Sequence, residues 1–233
     1  MQTTKSTHQV ALTDERITQP VSRRKFLGYV GATSAILATA ASCKKDKVND
    51  TGVDLGSGDV GILNYAYALE QLEAAFYTQV IATPYTGITA LEMEFLTDIR
   101  NHEIAHREFF KAAITAAPAT AIPNLEVDFS TITFTSKASV LGTAMAFEDL
   151  GVSAYDGAGY LLKNATYLLL AGKIVSVEAR HAALLRELVA VNTFLGDQVD
   201  ADSVNISRTP AEVLAIAGKY IKTKINASNL PTG

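Results

Sequence analysis

Two stretches of the chain, Glu103-Ile104-Ala105-His106 and Glu178-Ala179-Arg180-His181, each place a His three residues after a Glu within a long run of helical patterning. At that spacing both side chains leave one face of a helix, a turn apart. Apart from His8 and His102, these motifs hold every histidine in the chain. Any fold for this sequence must bring two Glu/His faces somewhere tolerable.

The surrounding apolar periodicity predicts four long helices. The first spans residues 59–81, with two neighbouring stripes: Leu63, Tyr67, Glu70, Ala74, Tyr77, Ile81 and Ile62, Ala66, Leu69, Glu73, Phe76, Val80. Thr83-Pro84-Tyr85-Thr86-Gly87 breaks it. The second runs over 89–116 with the inward line Leu96, Ile99, Glu103, His106, Phe110, Ala113, and stops before Pro118. The third begins after Ser136, a suitable N-cap, and is expected to reach residue 163, with Leu141, Met145, Glu148, Val152, Tyr155 inward. After a tight turn at Asn164-Ala165-Thr166, the fourth is expected to reach residue 192 with Ala171, Ile174, Glu178, His181, Leu185, Leu188 inward.

Connection lengths set the topology. A helix of about 28 residues is roughly 42 Å long, and about 19 extended residues reach roughly 60 Å. Residues 118–136 can therefore cross the whole bundle, whereas the two short connections force antiparallel hairpins. Beyond Gly196, Thr209-Pro210-Ala211-Glu212 reads as an N-cap with Pro at the first helical position, starting a short helix to about residue 222 that docks on the bundle.

Each long helix thus carries a carboxylate inside its apolar stripe: Glu70 or Glu73, then Glu103, Glu148 and Glu178. A buried, uncompensated carboxylate is costly, and four together repel one another. Two divalent cations would balance four carboxylates, each also receiving an imidazole, and mixed Glu/His ligation suits iron or manganese. A second regularity agrees. The chain reads twice as Glu-x6-Tyr followed by Glu-x2-His: Glu70, Tyr77, Glu103, His106, then Glu148, Tyr155, Glu178, His181. Two turns of helix set each Tyr over its own Glu, where it is expected to hydrogen-bond a ligand or take part in redox chemistry. Arg107, Arg180 and Arg186 fall mostly off the inward lines, so they are poor counter-ions for the carboxylates. His102 is expected to flank the site. No carboxylate stands ready to orient His106 or His181, since Ala144 and Ile174 lie one turn before Glu148 and Glu178.

With this pattern the sequence resembles the ferritin-like superfamily of di-iron and dimanganese carboxylate proteins. Through Leu69-Glu70-Gln71-Leu72-Glu73-Ala74-Ala75-Phe76-Tyr77 it more narrowly resembles the bacterial ferritin-like domain family that includes plant desiccation-related proteins. The resemblance implies an all-α four-helix bundle, antiparallel hairpins joined by a long crossover, plus a short C-terminal helix. It further implies Glu103 and Glu178 as bridging ligands, Glu70 and Glu148 as terminal ones, and His106 and His181 binding one metal each.

The N-terminus reads as an address. Ser22-Arg23-Arg24-Lys25-Phe26-Leu27 precedes an apolar, small-residue run over 28–41 and then Cys43, the only cysteine. That order describes a secretory signal of twin-arginine type, and Ala40-Ala41-Ser42-Cys43 looks like a lipoprotein cleavage box. The run is too short for a comfortable membrane span, so attachment is expected through lipid on Cys43 rather than a transmembrane helix. The expected organisation is a signal over 1–42, a flexible tether over 43–58, the bundle over 59–193 and a C-terminal segment over 194–233. The product would be periplasmic or on the cell surface. Export of folded protein suits a metal inserted beforehand.

Charge narrows the function. The chain carries a formal −4; residues 1–42 hold five Lys/Arg and two Asp/Glu, leaving 15 and 22, a net −7. That gives no basic footprint for nucleic acid. The Ala/Leu/Phe lining favours a small reactant, O2 or H2O2, or a metal ion itself. The expected function is an exported dimetal oxidoreductase, oxidising iron or dismutating peroxide. The alternative is a non-enzymatic, surface-anchored stress or metal-binding protein. A mineral-storing cage fits a lipid anchor poorly, while a homo-oligomer through helix faces stays open.

Overall fold

The computed structural model describes residues 52–232; the expected signal and Cys43 lie outside the described residues. The chain folds into four long helices with short capping elements. β1 (Val53–Asp54) leads into α1 (Gly58–Ala82), α2 (Ala90–Ala116), α3 (Lys137–Gly159) and α4 (Ala165–Val189), followed by α5 (Pro210–Ala217), a 3-10 turn over Gly218–Tyr220 and β2 (Ile225–Asn226).

The helix starts follow capping chemistry. Thr89 and Thr209 form reciprocal capping boxes with Glu92 and Glu212. Ser136 accepts from the Ser139 N–H, and the Asn164 side chain accepts from Thr166 and Tyr167 N–H groups. Two helices stop short of expectation for identifiable reasons. After α3, the Leu161 and Leu162 N–H groups tighten onto Ala158 and Gly159, while the Asp59 carboxylate accepts from Lys163 and Asn164 N–H groups. After α4, the Glu187 carboxylate collects the N–H groups of Asn192, Thr193 and Phe194, and Asn192 sits at φ 65°.

Side-chain contacts fix the helix directions. Tyr77 of α1 meets Glu148 of α3 and Tyr155 of α3 meets Glu70 of α1, so these helices run antiparallel. Lys137 at the start of α3 contacts Glu92 at the start of α2 at 2.5 Å, so α2 and α3 begin at the same end. The crossover between them climbs along α1. Ile122 N–H donates to Asn64, Leu125 N–H to Gln71, Phe129 and Phe134 pack on Phe76, and Thr86 N–H donates to the Thr135 carbonyl. Hairpin, long crossover, hairpin is the order observed.

The stretch expected to be a wholly flexible tether is ordered at its C-terminal end. Val53 and Asp54 pair in parallel with Ile225 and Asn226, Leu55 is fully buried, and the Asn64 amide donates to its carbonyl. α5 docks as expected but ends at Ala217 and passes into the 3-10 turn rather than reaching residue 222, with Val213 and Ala217 buried and Tyr220 edge-on to Phe147 at 4.8 Å. The approach to α5 lies so close to α3 that a Cβ on Gly157 would collide with the Arg208 carbonyl. Among the described residues no helix is long and apolar enough to cross a membrane.

Candidate metal centre

The antiparallel register of α1 and α3 brings Glu70 level with Tyr155 and Glu148 level with Tyr77. Between them, α2 and α4 contribute Glu103/His106 and Glu178/His181. The structure brings all six residues into one buried cluster. Glu103, Glu148 and Glu178 have no exposed surface and Glu70 has 1%.

The cluster resolves into two overlapping groups of four. Glu70, Glu103, His106 and Glu178 offer one ligand atom each, all within 4.8 Å of one another, and so do Glu103, Glu148, Glu178 and His181. Glu103 and Glu178 belong to both groups through opposite oxygens. Glu103 directs Oε2 to His106 Nδ1 at 3.4 Å and Oε1 to His181 Nδ1 at 2.9 Å. Glu178 directs Oε1 to His106 Nδ1 at 2.7 Å and Oε2 to His181 Nδ1 at 3.6 Å. Glu70 Oε2 stands 3.6 Å from His106 Nδ1, and Glu148 Oε2 3.3 Å from His181 Nδ1. Donors about 2.1 Å from a shared ion and roughly at right angles lie about 3.0 Å apart, within this range.

Polar satisfaction gives an independent test of fit. Glu70 Oε2, both oxygens of Glu103, Glu148 Oε2, both oxygens of Glu178, and Nδ1 of His106 and His181 are buried without a well-formed hydrogen bond. Native proteins rarely bury so many orphaned donors and acceptors. These are the atoms that the two groups turn inward, four to each group. The donor set fits a pair of hard or borderline divalent cations.

Outside the cluster, the remaining oxygens of the terminal carboxylates are satisfied. Tyr77 OH donates to Glu148 Oε1 at 2.6 Å, and Tyr155 OH donates to Glu70 Oε1. Each Tyr thus makes the expected hydrogen bond to a candidate ligand, but to the Glu of the opposite half rather than the one two turns behind it. Two turns of helix carry a Tyr about 10 Å along the axis, beyond its own Glu, while the antiparallel neighbour presents the other Glu at that level.

Electrostatics show the strain of the cluster without cations. Burial, with Glu178 and Glu103 adding to it, pushes Glu70 up to about 8. Burial and the charge of Glu103 raise Glu148 well above the carboxylate range. Burial acts on Glu178 too, but its two histidines prevail and hold it at about 2. Burial would lower both histidines; contact with the carboxylates overrides it, raising His106 strongly and His181 to about 12. Protons then take the place that cations would fill. Burial, then Glu148 for Tyr77 and Glu70 for Tyr155, keep both phenols protonated as donors.

The competing first-helix residue, Glu73, is buried but belongs to neither group. It lies against α3 where Gly151 leaves room, since a Cβ there would stand 3.2 Å from Glu73 Oε1. The arginines are engaged elsewhere: Arg107 with Glu108, Arg180 with Ser176, Arg186 with Asp149 and Asp197. His102 donates no ligand atom to either group, yet its Nδ1 lies 2.9 Å from His181 Nε2. The sequence offers one signal for that contact, the placement of His102 four residues before His106.

A family model described as a ferritin-like domain matches residues 58–191 of this chain, the four-helix core that carries the cluster. No curated protein is significantly similar to it.

Proposed function

Since the chain belongs to the ferritin-like domain family, we propose that its bundle holds two divalent ions, iron or manganese, and uses them on O2 or H2O2. The observation that carries this reading is the set of eight inward-facing donor atoms at the bundle centre that lack a well-formed hydrogen bond. Glu103 and Glu178 would bridge the ions, Glu70 and Glu148 would bind one each, and His106 and His181 would complete one sphere each. When bound, such ions supply Lewis acidity and one-electron redox steps suited to oxidation of ferrous iron by O2 or to dismutation of peroxide.

The chain's own residues set the conditions for that chemistry. Tyr77 and Tyr155 hold the outer oxygens of Glu148 and Glu70, so the inner oxygens stay aimed at the ions. Their phenolic hydrogen bonds can strengthen or relax as carboxylate charge changes, which makes them the residues we assign to act with the metals. His106 is the more open of the two histidines, 13% exposed against 6%, and marks the side from which solvent and a small oxidant approach. An apolar cavity lined by Leu69, Phe110, Ala154 and Leu162 reaches Tyr155 and offers nothing for a polar organic substrate.

Oxygen uptake on adding ferrous iron, set against oxygen release on adding peroxide to manganese-loaded protein, tests the reading. Activity in either arm, lost in Glu103→Ala, supports it. A fully loaded protein inactive in both arms would leave a non-enzymatic metal-binding protein. We further propose export with a lipid on Cys43. Cys43→Ser should then release the protein from the membrane fraction, and unchanged fractionation would contradict the anchor.

A further inference from the structure

The two halves of the cluster are related by an internal repeat, with Glu103/His106 answering to Glu178/His181. The repeat fails at one telling position. Where α2 has His102, one residue before Glu103, α4 has Val177, one residue before Glu178. His102 Nδ1 meets His181 Nε2 at 2.9 Å, and the rings are inclined by only 8°. Their centroids are 5.1 Å apart, close to the N···N distance plus one ring radius on either side. The rings therefore lie edge to edge in nearly one plane, joined along the in-plane lone pair and N–H directions. Among the described residues His106 Nε2 has no such partner.

We propose that His102 is a positioning residue for His181, and that it makes the two metal positions unequal. The inference rests on the dimetal reading of the site. A ligating His181 must present a lone pair at Nδ1, which leaves its only proton on Nε2. In the ligating state His181 Nε2 donates and His102 Nδ1 accepts, so the contact favours that tautomer and fixes the ring orientation. Partners of this kind typically change metal affinity 10- to 100-fold. His102 itself is solvent-exposed, so it performs this role from outside the buried cluster.

Calorimetric titration of the metal-free full chain with Mn(II) alone tests the proposal. Wild type should bind two equivalents. His102→Ala should weaken one step by about 10- to 100-fold, the same step that His181→Ala removes, and leave the other unchanged. His102→Phe fills the space without an acceptor and should behave like the Ala variant. His102→Asn places an amide oxygen near the Nδ1 position and should restore the weakened step. Unchanged affinities in His102→Ala and His102→Phe, equal weakening of both steps, or failure of Asn to outperform Phe would overturn the proposal. If wild type takes up no Mn(II), the dimetal reading fails and this inference with it; two equivalents in wild type with an indifferent His102 sinks the inference alone.

Discussion

Loading the bundle with cations should stabilise it strongly, because the cluster gathers buried carboxylates that repel one another. Four almost fully buried carboxylates converge with two imidazoles, and eight inward atoms lack a well-formed hydrogen bond. An ion that binds the folded chain and not the unfolded one adds about 2.7 kcal/mol when free metal is 100 times Kd. Two such positions give about 5 kcal/mol. For a domain of about 180 residues, each kcal/mol moves Tm by about 2–4 °C, so saturating Mn(II) should raise Tm by about 10–20 °C over chelator-treated protein. Scanning calorimetry with and without chelator measures it directly. Glu178→Gln supplies the internal control. Glu178 turns one oxygen to each histidine, so its loss weakens both positions together and should shrink the metal-induced shift to a few degrees. A wild-type shift below about 2 °C at saturation, or a full shift retained in Glu178→Gln, would refute the argument that the cluster is built for cations.

Other consequences are separable from this one. Metal binding should release protons, because Glu70 is pushed up to about 8 and His181 to about 12 in the free cluster; affinity should rise between pH 6 and 8, and calorimetry in buffers of different ionisation enthalpy reads the release. Glu92, hydrogen-bonded by Lys137 and by Thr89, is held at about 2, below its ordinary 4.5. A depressed carboxylate stabilises the fold above its unfolded value and loses that contribution as pH falls from about 4.5 to about 2. Lys137 is half-exposed, so solvent screening reduces the pair to about 1 kcal/mol; Glu92→Gln should cost that much at pH 7 in urea melts and nothing near pH 2. Gly157→Ala should destabilise by about 1–3 kcal/mol, since its methyl meets the Arg208 carbonyl; an unchanged urea midpoint would show that the segment before α5 yields freely.

Much of the bundle was legible because its signals are local or depend on length. The caps at Ser136 and Thr209 are single-turn chemistry, and the crossover followed from reach alone. The cluster was legible as a pattern because the repeat of Glu-x6-Tyr and Glu-x2-His survives in linear order. Features that depend on two helices at once were hidden. A helical wheel sets Tyr77 over Glu70, whereas the antiparallel register of α1 and α3 exchanges the tyrosines between halves. The same limit kept Glu70 and Glu73 level; in the structure Glu70 joins a ligand group, while Glu73 lies against Gly151 of α3, in neither group yet within the field of all four carboxylates. The i, i+4 spacing to His106 put His102 near the site, but its partner 79 positions away was not legible. The β1–β2 pair is two residues long on each strand, too short for any periodicity to register. Helix ends at Gly159 and Val189 depend on side-chain acceptors, Asp59 of α1 and Glu187 within α4, that apolar spacing does not encode.

Counting metal per chain tests the central claim most directly. Elemental analysis of the purified protein, and of the same protein after incubation with Fe(II) or Mn(II) and removal of excess, should reach about two equivalents. Replacing Glu103 or His181 with Ala should lower that number. The account predicts two ions held by the two overlapping groups around Glu103 and Glu178. Less than about a tenth of an equivalent of iron and manganese, with no uptake on addition, would contradict it.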